Sequence, residues 1–475
     1  MNARVLFYRY LVAGLLLCLA RTASAEEVPV DFSADPNWEG YRNRLLPNPL
    51  PVTRQDFGWR ASQKAGGKRA GEVGGWIQRS TKPAFYAKAI RTRTLNDRLS
   101  ASGKFAVFQD ESGTGTMVGW FNENSRGWRT PNSLVFRIDG NGGKYWIFYE
   151  YGTRGWLTGG GGCFEGDRYQ TTSTKPFKAD GTAHTWSLEY DPAGAEGNGL
   201  ITFVLDGKTY TQALAPGHKL DGAEFNRFGI FNQQTTGGGM EAYFSDWVLD
   251  GEAIDLTRDP GWVGDGNKTE YANRTLRPFH DFGWMASNTS GAVAGEIGGM
   301  IWRDVKPAYY GAPTGVLTLE DELVASGTIA FHGAGSDSAG YLGWFDAETK
   351  KNPDTKELDP AKNILAVLIE GPSRVGHYFR AEVRTGNGEG VMGESGPIIR
   401  PDGTKHRWEL RYSPKGGNGN GAVTVKLDGE ERTLALKPEH RRLGARFDRF
   451  GLFNVQTGGH FVDIAVDDLT FTRKK

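Results

Sequence analysis

Residues 180–190 read DGTAHTWSLEY, and residues 402–412 read DGTKHRWELRY. In both stretches apolar and polar residues alternate after the DGT turn, which is the pattern of a β-strand with one buried face. Each strand is followed by a Gly- and Asn-containing turn and by a second alternating strand that ends in Leu-Asp-Gly. An Asp-Gly pair after an alternating strand is typical of a tight hairpin. The repeated stretch therefore predicts antiparallel β-structure.

The same repeat extends along the whole chain. The motifs DPxWxG, DFGW, AGExGG, KPA[FY]Y, GWF and RFG[IL]FNxQT each return after 222 to 225 residues, and the first copies begin at Asp35, Asp56, Ala70, Lys82, Gly119 and Arg227. A nearly constant offset over so many motifs indicates a tandem duplication. We therefore predict two domains, at residues 26–251 and 252–475, each large enough for one β-sandwich.

Composition supports an all-β fold and excludes several classes of protein. The chain has 475 residues, and its 67 Gly, 14 Trp, 17 Tyr and 26 Phe are typical of strands joined by tight turns rather than of a helix bundle. Its 56 basic side chains are balanced by 56 acidic ones without any basic run, so we expect no nucleic-acid partner. Cys163 would have no partner in the mature chain, because Cys18 belongs to the leader.

The first 25 residues have the features of a secretory signal peptide. Arg4 and Arg9 precede an apolar run at residues 11–20, and Ala23-Ser24-Ala25 supplies small residues for cleavage. The apolar run is too short to span a bilayer, and no other segment approaches the length of a membrane helix. We expect a secreted or periplasmic protein, cleaved near Ala25, with no membrane span.

The order of the repeated motifs resembles the concanavalin A-like lectin/glucanase superfamily in its laminin-G-like jelly-roll form. The resemblance is carried by the DGTxHxW strand, the strand ending in LDG, the RFGxFN strand, and the final stretches YFSDWVL (243–249) and IAVDDLTF (464–471). It implies an all-β protein of two tandem jelly-roll β-sandwiches after the signal peptide. Because that fold carries lectins, carbohydrate-binding modules, hydrolases and lyases, the resemblance implies a polysaccharide or oligosaccharide partner but no particular activity.

The sequence lacks the catalytic signatures of the enzymes in this superfamily. It has neither the ExDxxE strand of laminarinase-like hydrolases nor the RxExR, QxH and YxKxGxYNQ patterns of alginate-lyase-like jelly rolls. It has no HExxH motif, paired CxxC motif or EF-hand loop, so no cofactor or metal is expected. A calcium ion held by loop carboxylates and backbone carbonyls would leave no motif and stays an open alternative.

The two copies differ most at residues 145–151, YWIFYEY, where the first copy is rich in aromatic side chains. In a strand, Trp146, Phe148 and Glu150 share one face, and the tyrosines share the other. Aromatic rings beside a carboxylate are typical of a sugar-binding groove. The predicted substrate-binding residues are Arg79, Trp128, Arg129, Trp146, Tyr151, Trp156, Asn232 and Gln234. A packed core would equally explain the rings, and turn capping would explain the amides.

Three functions are compatible with these residues. The first is a secreted protein that binds an extracellular polysaccharide through an aromatic groove in the first domain. The second is a polysaccharide hydrolase or lyase with Glu72, Glu150 and Glu165 as acid/base candidates, and with Arg79 or Arg129 holding a uronate or a sulfate. The third is a structural or adhesive surface protein.

A structural role competes with the catalytic one at Glu72 and Arg79. Both residues recur in the second copy, as Glu296 and Arg303, which fits a structural ion pair. The catalytic interpretation places the carboxylate and the guanidinium in one groove. It requires a β-bulge at Gly74-Gly75, because residues seven apart on a regular strand face opposite sides.

Overall fold

The computed structural model describes residues 25–166, 168–275, 279–349 and 361–474. These residues form four antiparallel sheets, arranged as two β-sandwiches. The predicted all-β fold is confirmed. The predicted signal peptide lies outside the described residues, except for its last residue, Ala25.

Strands account for most of the described chain. Those up to residue 275 are β1 (Ala25–Pro29), β2 (Glu39–Tyr41), β3 (Val52–Arg60), β4 (Glu72–Gln78), β5 (Phe85–Thr94), β6 (Leu99–Asp110), β7 (Ser112–Phe121), β8 (Ser133–Asn141), β9 (Lys144–Gly152), β10 (Thr158–Gly162), β11 (Phe177–Lys178), β12 (Ala183–Asp191), β13 (Leu200–Leu205), β14 (Lys208–Ala213), β15 (Glu224–Asn232), β16 (Gly239–Leu249), β17 (Glu252–Ala253), β18 (Val263–Asp265) and β19 (Lys268–Ala272).

The later strands repeat this series. They are β20 (Asp281–Met285), β21 (Glu296–Trp302), β22 (Tyr309–Thr318), β23 (Leu323–Ala334), β24 (Ser338–Phe345), β25 (Ile364–Gly371), β26 (His377–Arg384), β27 (Gly390–Met392), β28 (Ile398–Ile399), β29 (Lys405–Ser413), β30 (Ala422–Leu427), β31 (Glu430–Ala435), β32 (Arg446–Asn454) and β33 (Phe461–Lys474). The helices are short: α1 (His218–Asp221), α2 (Pro438–Leu443) and single 3₁₀ turns at Ala347–Thr349 and Gly417–Gly419. Within the described ranges, no helix is long and apolar enough to cross a membrane.

The two sandwiches have matching strand orders. Sheet A of the first sandwich runs β14-β13-β12-β6-β16-β4-β3-β19 with β17 beside β16, and sheet B runs β10-β9-β8-β7-β15-β5-β18 with β11 beside β9. Sheet C of the second runs β31-β30-β29-β23-β33-β21-β20 with β1 beside β33, and sheet D runs β27-β26-β25-β24-β32-β22-β2 with β28 beside β26. The sequence duplication is therefore also a duplication of topology.

The N-terminal segment belongs to the second sandwich. Strand β1 pairs with the C-terminal strand β33, in a register that runs from Ala25 opposite Lys474 to Pro29 opposite Thr470. Strand β2 pairs with β22, also in the second sandwich. The equivalent strands β17 and β18 complete the first sandwich. The predicted domain limits, 26–251 and 252–475, follow the sequence repeat and stay a prediction. In the sheets, residues 25–45 belong with the described residues between 279 and 474.

The two DPxWxG motifs fix these segments through equivalent contacts. Trp38 packs in the second core, with its ring centroid 5.7 Å from that of Tyr310, and the Tyr310 hydroxyl donates to Asp35 at 2.8 Å. Trp262 stacks in the same way on Tyr86 of the first sandwich, with centroids 5.7 Å apart. Each motif therefore attaches the segment that carries it to a different sandwich.

We expect Trp38→Ala to destabilise the second sandwich selectively, by about 2 kcal/mol, because it removes a partly buried ring from that core. Hydrogen exchange should accelerate in β22 and β33 but not in β5 and β16. Trp262→Ala is the matched control and should show the opposite distribution. Equal acceleration in both sandwiches would contradict the assignment of residues 25–45 to the second one.

Candidate functional site

A groove lies on sheet B beside its edge strand β10, and its cavity volume is about 590 Å³. The strands β8, β9 and β10 supply most of its lining, and a loop from the second sandwich supplies one residue. The lining residues are Arg129, Thr130, Ser133, Arg137, Phe148–Tyr151, Thr158–Gly162, Phe164, Gly166, Gln212 and Arg374. Three predicted site residues, Arg129, Glu150 and Tyr151, are among them.

Strand β9 divides its side chains between core and groove as the alternation predicts. Tyr145, Ile147, Tyr149 and Tyr151 are buried in the core of the first sandwich. Phe148 and Glu150, which point to the other face, remain half-buried at the groove. Phe148 and Glu150 therefore lie on the outer face of sheet B, whereas the predicted ligand residue Tyr151 lies on its inner face.

A chain of alternating charges crosses this face. The Arg79 Nη2 donates to Asp139 Oδ1 at 2.8 Å, Arg137 Nη1 donates to the other oxygen of Asp139, and Arg137 Nε donates to Glu150 Oε1 at 3.1 Å. Burial alone would lower the pKa of Arg137, but the carboxylates of Glu150 and Asp139 outweigh it and raise that pKa. The Arg137 side chain is 8% exposed, and that of Glu150 is 22% exposed. The orientation of the Glu150 side chain is thus fixed by its contact with Arg137.

Arg129 occupies the boundary between groove and second sandwich. Its Nη1 donates to Thr158 Oγ1 at 3.0 Å and to the Ser373 carbonyl at 3.4 Å. Burial lowers the pKa of Arg129. The Glu150 carboxylate acts to raise it, and the neighbouring guanidinium groups of Arg374 and Arg137 act to lower it further. Arg129 is therefore a guanidinium without a carboxylate in direct contact among the described residues.

The strand β10 is almost free of side chains because the space beside it is occupied. A Cβ atom at Gly159 would lie 2.6 Å from the Tyr151 ring, and one at Gly161 would lie 2.4 Å from the Tyr149 hydroxyl. Glycine in a strand lets a ligand or another backbone approach closely. The glycines of β10 therefore allow its backbone to pack directly against the tyrosine side chains of β9.

The three predicted tryptophans are placed differently from one another. Trp128 is 8% exposed, and the Arg137 guanidinium lies 5.3 Å from its ring centroid. Trp146 is 9% exposed and is covered by Tyr169, with ring centroids 5.0 Å apart. Trp156 lies against Gly127, beside a separate cavity at the boundary between the sandwiches. The rings left half-exposed at the groove are those of Phe148 and Phe164.

Tyr151 and the two predicted amides have internal partners. The Tyr151 hydroxyl lies 2.9 Å from His218 Nδ1 and accepts from the Ala215 N–H at 3.0 Å. The Asn232 amide donates to the Ser80 and Lys82 carbonyls, and its oxygen accepts from the Ala84 N–H. The structure thus gives Tyr151 and Asn232 structural contacts, and Asn454 repeats those of Asn232 in the second sandwich.

Gln234 acts on the groove indirectly. Its Oε1 accepts from the Gly127 N–H at 2.8 Å, and its Nε2 donates to the Ser125 carbonyl at 3.2 Å. Both partners are in the loop at residues 122–132, which also carries Trp128 and Arg129. Gln234 is therefore in a position to hold the loop that brings Arg129 to the groove.

Glu72 and Glu165 are not lining residues of the groove. Glu72 is fully buried on β4 and accepts from Ser62 Oγ at 2.5 Å and from the Lys64 and Ala65 N–H groups at 2.9 and 2.8 Å. Glu165 is exposed in the loop after β10, where its backbone bonds to Thr172 and Thr174. Glu72 and Glu150 lie on different sheets of the sandwich.

Arg79 and Glu72 do not share a face, because β4 contains no bulge. The register of β4 is continuous with both β3 and β16. The double glycine instead allows close strand packing: a Cβ at Gly74 or at Gly75 would lie 2.2 Å from a carbonyl oxygen of a neighbouring strand. The predicted bulge is therefore wrong.

Glu296 repeats the arrangement of Glu72 in the second sandwich. Burial would raise the pKa of Glu296, but hydrogen bonds from Ser287, Ser290 and the backbone N–H groups of Thr289 and Ser290 outweigh it and hold the pKa at about 2. A carboxylate with this pattern fixes the turn that precedes its strand. This repeated role explains why both copies keep a Glu at the start of AGExGG.

Sequence reasoning missed the residues that border the groove outside β9. Arg137, Thr158, Gln212 and Arg374 line it, and Arg374 belongs to a loop of the second copy. It also missed Glu382, which corresponds in register to Glu150, since each lies opposite the third residue of the preceding strand. A longer connection before β25 shifts the numbering there, so that the constant offset of the repeat no longer identifies the pair.

The face of sheet D that corresponds to the groove is closed. The Tyr341 hydroxyl donates to Glu382 Oε2 at 2.7 Å, and Arg384 Nε donates to Glu382 Oε1 at 2.6 Å. Glu382 is 2% exposed, so its carboxylate is buried between these partners. In the part of the chain that the structure describes, no group of three or more His, Cys, Asp or Glu side chains is arranged to hold a metal ion.

The chain is similar in structure to several solved proteins at low sequence identity. Domains LG4-5 of the mouse laminin α1 chain match with 10% identity and a TM-score of 0.25, over 84% of this chain and 90% of that one. An endo-β-1,4-glucuronan lyase from the fungus Trichoderma reesei matches with 13% identity and a TM-score of 0.28, over 44% and 93%. Peanut lectin matches with 13% identity and a TM-score of 0.27, over 40% and 90%. No family model and no curated protein sequence matches the chain.

We expect Glu296→Gln to lower the free energy of unfolding at neutral pH, because the amide cannot accept the same charge-assisted hydrogen bonds. The folded-state pKa lies below the ordinary value of 4.5, so the wild-type advantage should be complete above that pH. It should then decline as the pH falls towards about 2.

Urea midpoints of both proteins, measured over that pH range, check this expectation. Glu430→Gln, at an exposed position on β31, is the control and should differ little from wild type at any pH. A stability difference for Glu296→Gln that does not change with pH would contradict the proposed role of the carboxylate.

Proposed function

We propose that the protein is exported and binds an extracellular polysaccharide in the groove of the first sandwich. The observation that carries the proposal is the combination of partly exposed Phe148 and Phe164 rings with fixed polar groups at one edge of the first sandwich. Aromatic rings fit the apolar faces of sugars, and a few fixed polar groups recognise the hydroxyls. Arg137, Glu150 and Gln212 supply such groups here.

Binding accounts for the groove better than hydrolysis does. Glycosidases of the common type use two carboxyl groups on either side of the scissile bond. Among the described residues of the groove lining, Glu150 is the one carboxylate, and it is paired with Arg137. The hydroxyls of Tyr149 and Tyr151, which could serve as bases for a lyase, are bonded within the sandwich.

We expect Phe148→Ala to weaken polysaccharide binding about tenfold, because the variant loses the ring that faces the sugar. Affinity electrophoresis in gels that contain individual neutral, uronic or sulfated polysaccharides measures the change. Trp76→Ala is the matched control, since this partly exposed ring lies on sheet A and not at the groove. Equal losses for both variants would argue against the groove as the binding site.

We expect the wild-type protein to release no product from the polysaccharide that it binds. New reducing ends and the ultraviolet absorbance of an unsaturated uronate are measured together, so that both hydrolysis and elimination are detected. Glu150→Gln should still bind, although more weakly, because Arg137 loses one of its two carboxylate partners. Product formation by wild type that Glu150→Gln abolishes would overturn the binding proposal in favour of an enzyme.

A further inference from the structure

The second sandwich forms part of the groove wall. The Thr158 N–H of β10 donates to the Arg374 carbonyl at 3.0 Å, and Arg129 donates to the Ser373 carbonyl. Both acceptors lie in the loop between β25 and β26. The backbone of this loop therefore adjoins the free edge of sheet B, and it places the exposed Arg374 side chain at the groove.

The same edge directs backbone donors outward. The Cys163 N–H donates to the Ile147 carbonyl, and the Thr153 N–H donates to the Leu157 carbonyl, which identifies the hydrogen-bonded pairs between β9 and β10. In an antiparallel pair these alternate with pairs whose backbone groups point away. Thr158, Gly160 and Gly162 belong to the second kind, and Thr158 already uses its outward N–H on Arg374. The N–H groups of Gly160 and Gly162 consequently face the open edge.

Positive charge exceeds negative charge around this edge. The groove lining contains three arginines, Arg129, Arg137 and Arg374, and one carboxylate, Glu150. Glu150 is neutralised by Arg137. Arg129 donates only to uncharged oxygens, and the Arg374 side chain has no bonded partner among the described residues. Two guanidinium groups therefore meet at the boundary of the sandwiches without a carboxylate in contact.

A crevice between the sandwiches continues from the groove. Its volume is about 880 Å³, and it shares Arg129 with the groove. Arg168 adds a further exposed guanidinium there. Both carboxylates of the crevice have an arginine partner: Glu370 is paired with Arg380, and Asp337 is paired with Arg303. The two cavities therefore form one path through their common residue, Arg129, with Arg374 lining the groove and Arg168 lining the crevice.

We infer that this path binds an extended acidic polysaccharide, with Arg374 of the second copy and Arg129 of the first as contacts for its carboxylate or sulfate groups. The inference rests on the proposed function and specifies its ligand. Guanidinium groups bind such anions through two parallel hydrogen bonds, and outward backbone N–H groups add further donors. The duplicated sandwich is then one wall of a shared site.

Binding of polygalacturonate, dextran sulfate and unsubstituted dextran to the mature protein at low and high salt tests this. We expect the acidic polymers to bind, with affinity falling as salt rises, and dextran to bind far more weakly. Tighter binding of polygalacturonate would identify carboxylate as the recognised group, and tighter binding of dextran sulfate would identify sulfate. Arg374→Gln should weaken binding of that polymer roughly tenfold. Arg432→Gln, the same charge change at the exposed strand β31, should not.

The outcomes separate this inference from the proposed function. If dextran binds as tightly as the acidic polymers, and independently of salt, the proposal of an acidic ligand is overturned, but the groove can still be a sugar-binding site. Normal binding of the acidic polymer by Arg374→Gln would overturn the contribution of the second sandwich. Binding of none of the three polymers, and of no other glycan, would overturn the proposed function itself. Arg374→Gln keeps the carbonyl that Thr158 contacts, and its circular dichroism should match wild type.

Discussion

The pairing of β1 with β33 joins the two ends of the described chain within the second sandwich. It therefore connects the second sandwich to the first by two segments of chain instead of one. Because residues 25–45 lie in the second sandwich, the chain crosses to the first sandwich after β2 and returns after β19. Two short connections restrict relative motion more than one, since each removes orientations that a single linker would allow. A boundary held in this way can keep the β25–β26 loop against the edge of β10, where the Thr158 N–H donates to the Arg374 carbonyl.

The duplication separates residues that maintain the fold from residues that differ between the copies. Glu72 and Glu296 fix equivalent turns, and Asn232 and Asn454 make the same three backbone contacts. Such groups recur because each sandwich must satisfy the same buried backbone donors and acceptors. At the position of Glu150, by contrast, the second copy has the buried Glu382. One register position therefore carries an accessible carboxylate in one sandwich and a closed hydrogen-bonded cluster in the other.

Local pattern predicted the fold and the two faces of β9. The alternation in residues 145–151 separated Phe148 and Glu150 from the tyrosines, because strand periodicity alone determines this division, but it did not show which face is buried. Contacts between distant segments were not predictable: that Tyr169 covers Trp146, or that Arg374 reaches β10, depends on how loops fold over the sheet. The sequence also did not show which sandwich each DPxWxG segment joins. A DPxWxG motif precedes each copy, and this position is compatible with attachment to either sandwich.

The charge chain on sheet B fixes the side chains of the groove floor to one another. Arg137 is buried and contacts both Glu150 and Asp139, and Asp139 also contacts Arg79. A buried guanidinium is costly unless neighbouring carboxylates compensate its charge and accept its hydrogen bonds. Removing either carboxylate would therefore leave the charge of Arg137 only partly compensated. The orientation of these charged groups is thus determined by the sheet that carries them, and a molecule that enters the groove meets groups that need little rearrangement.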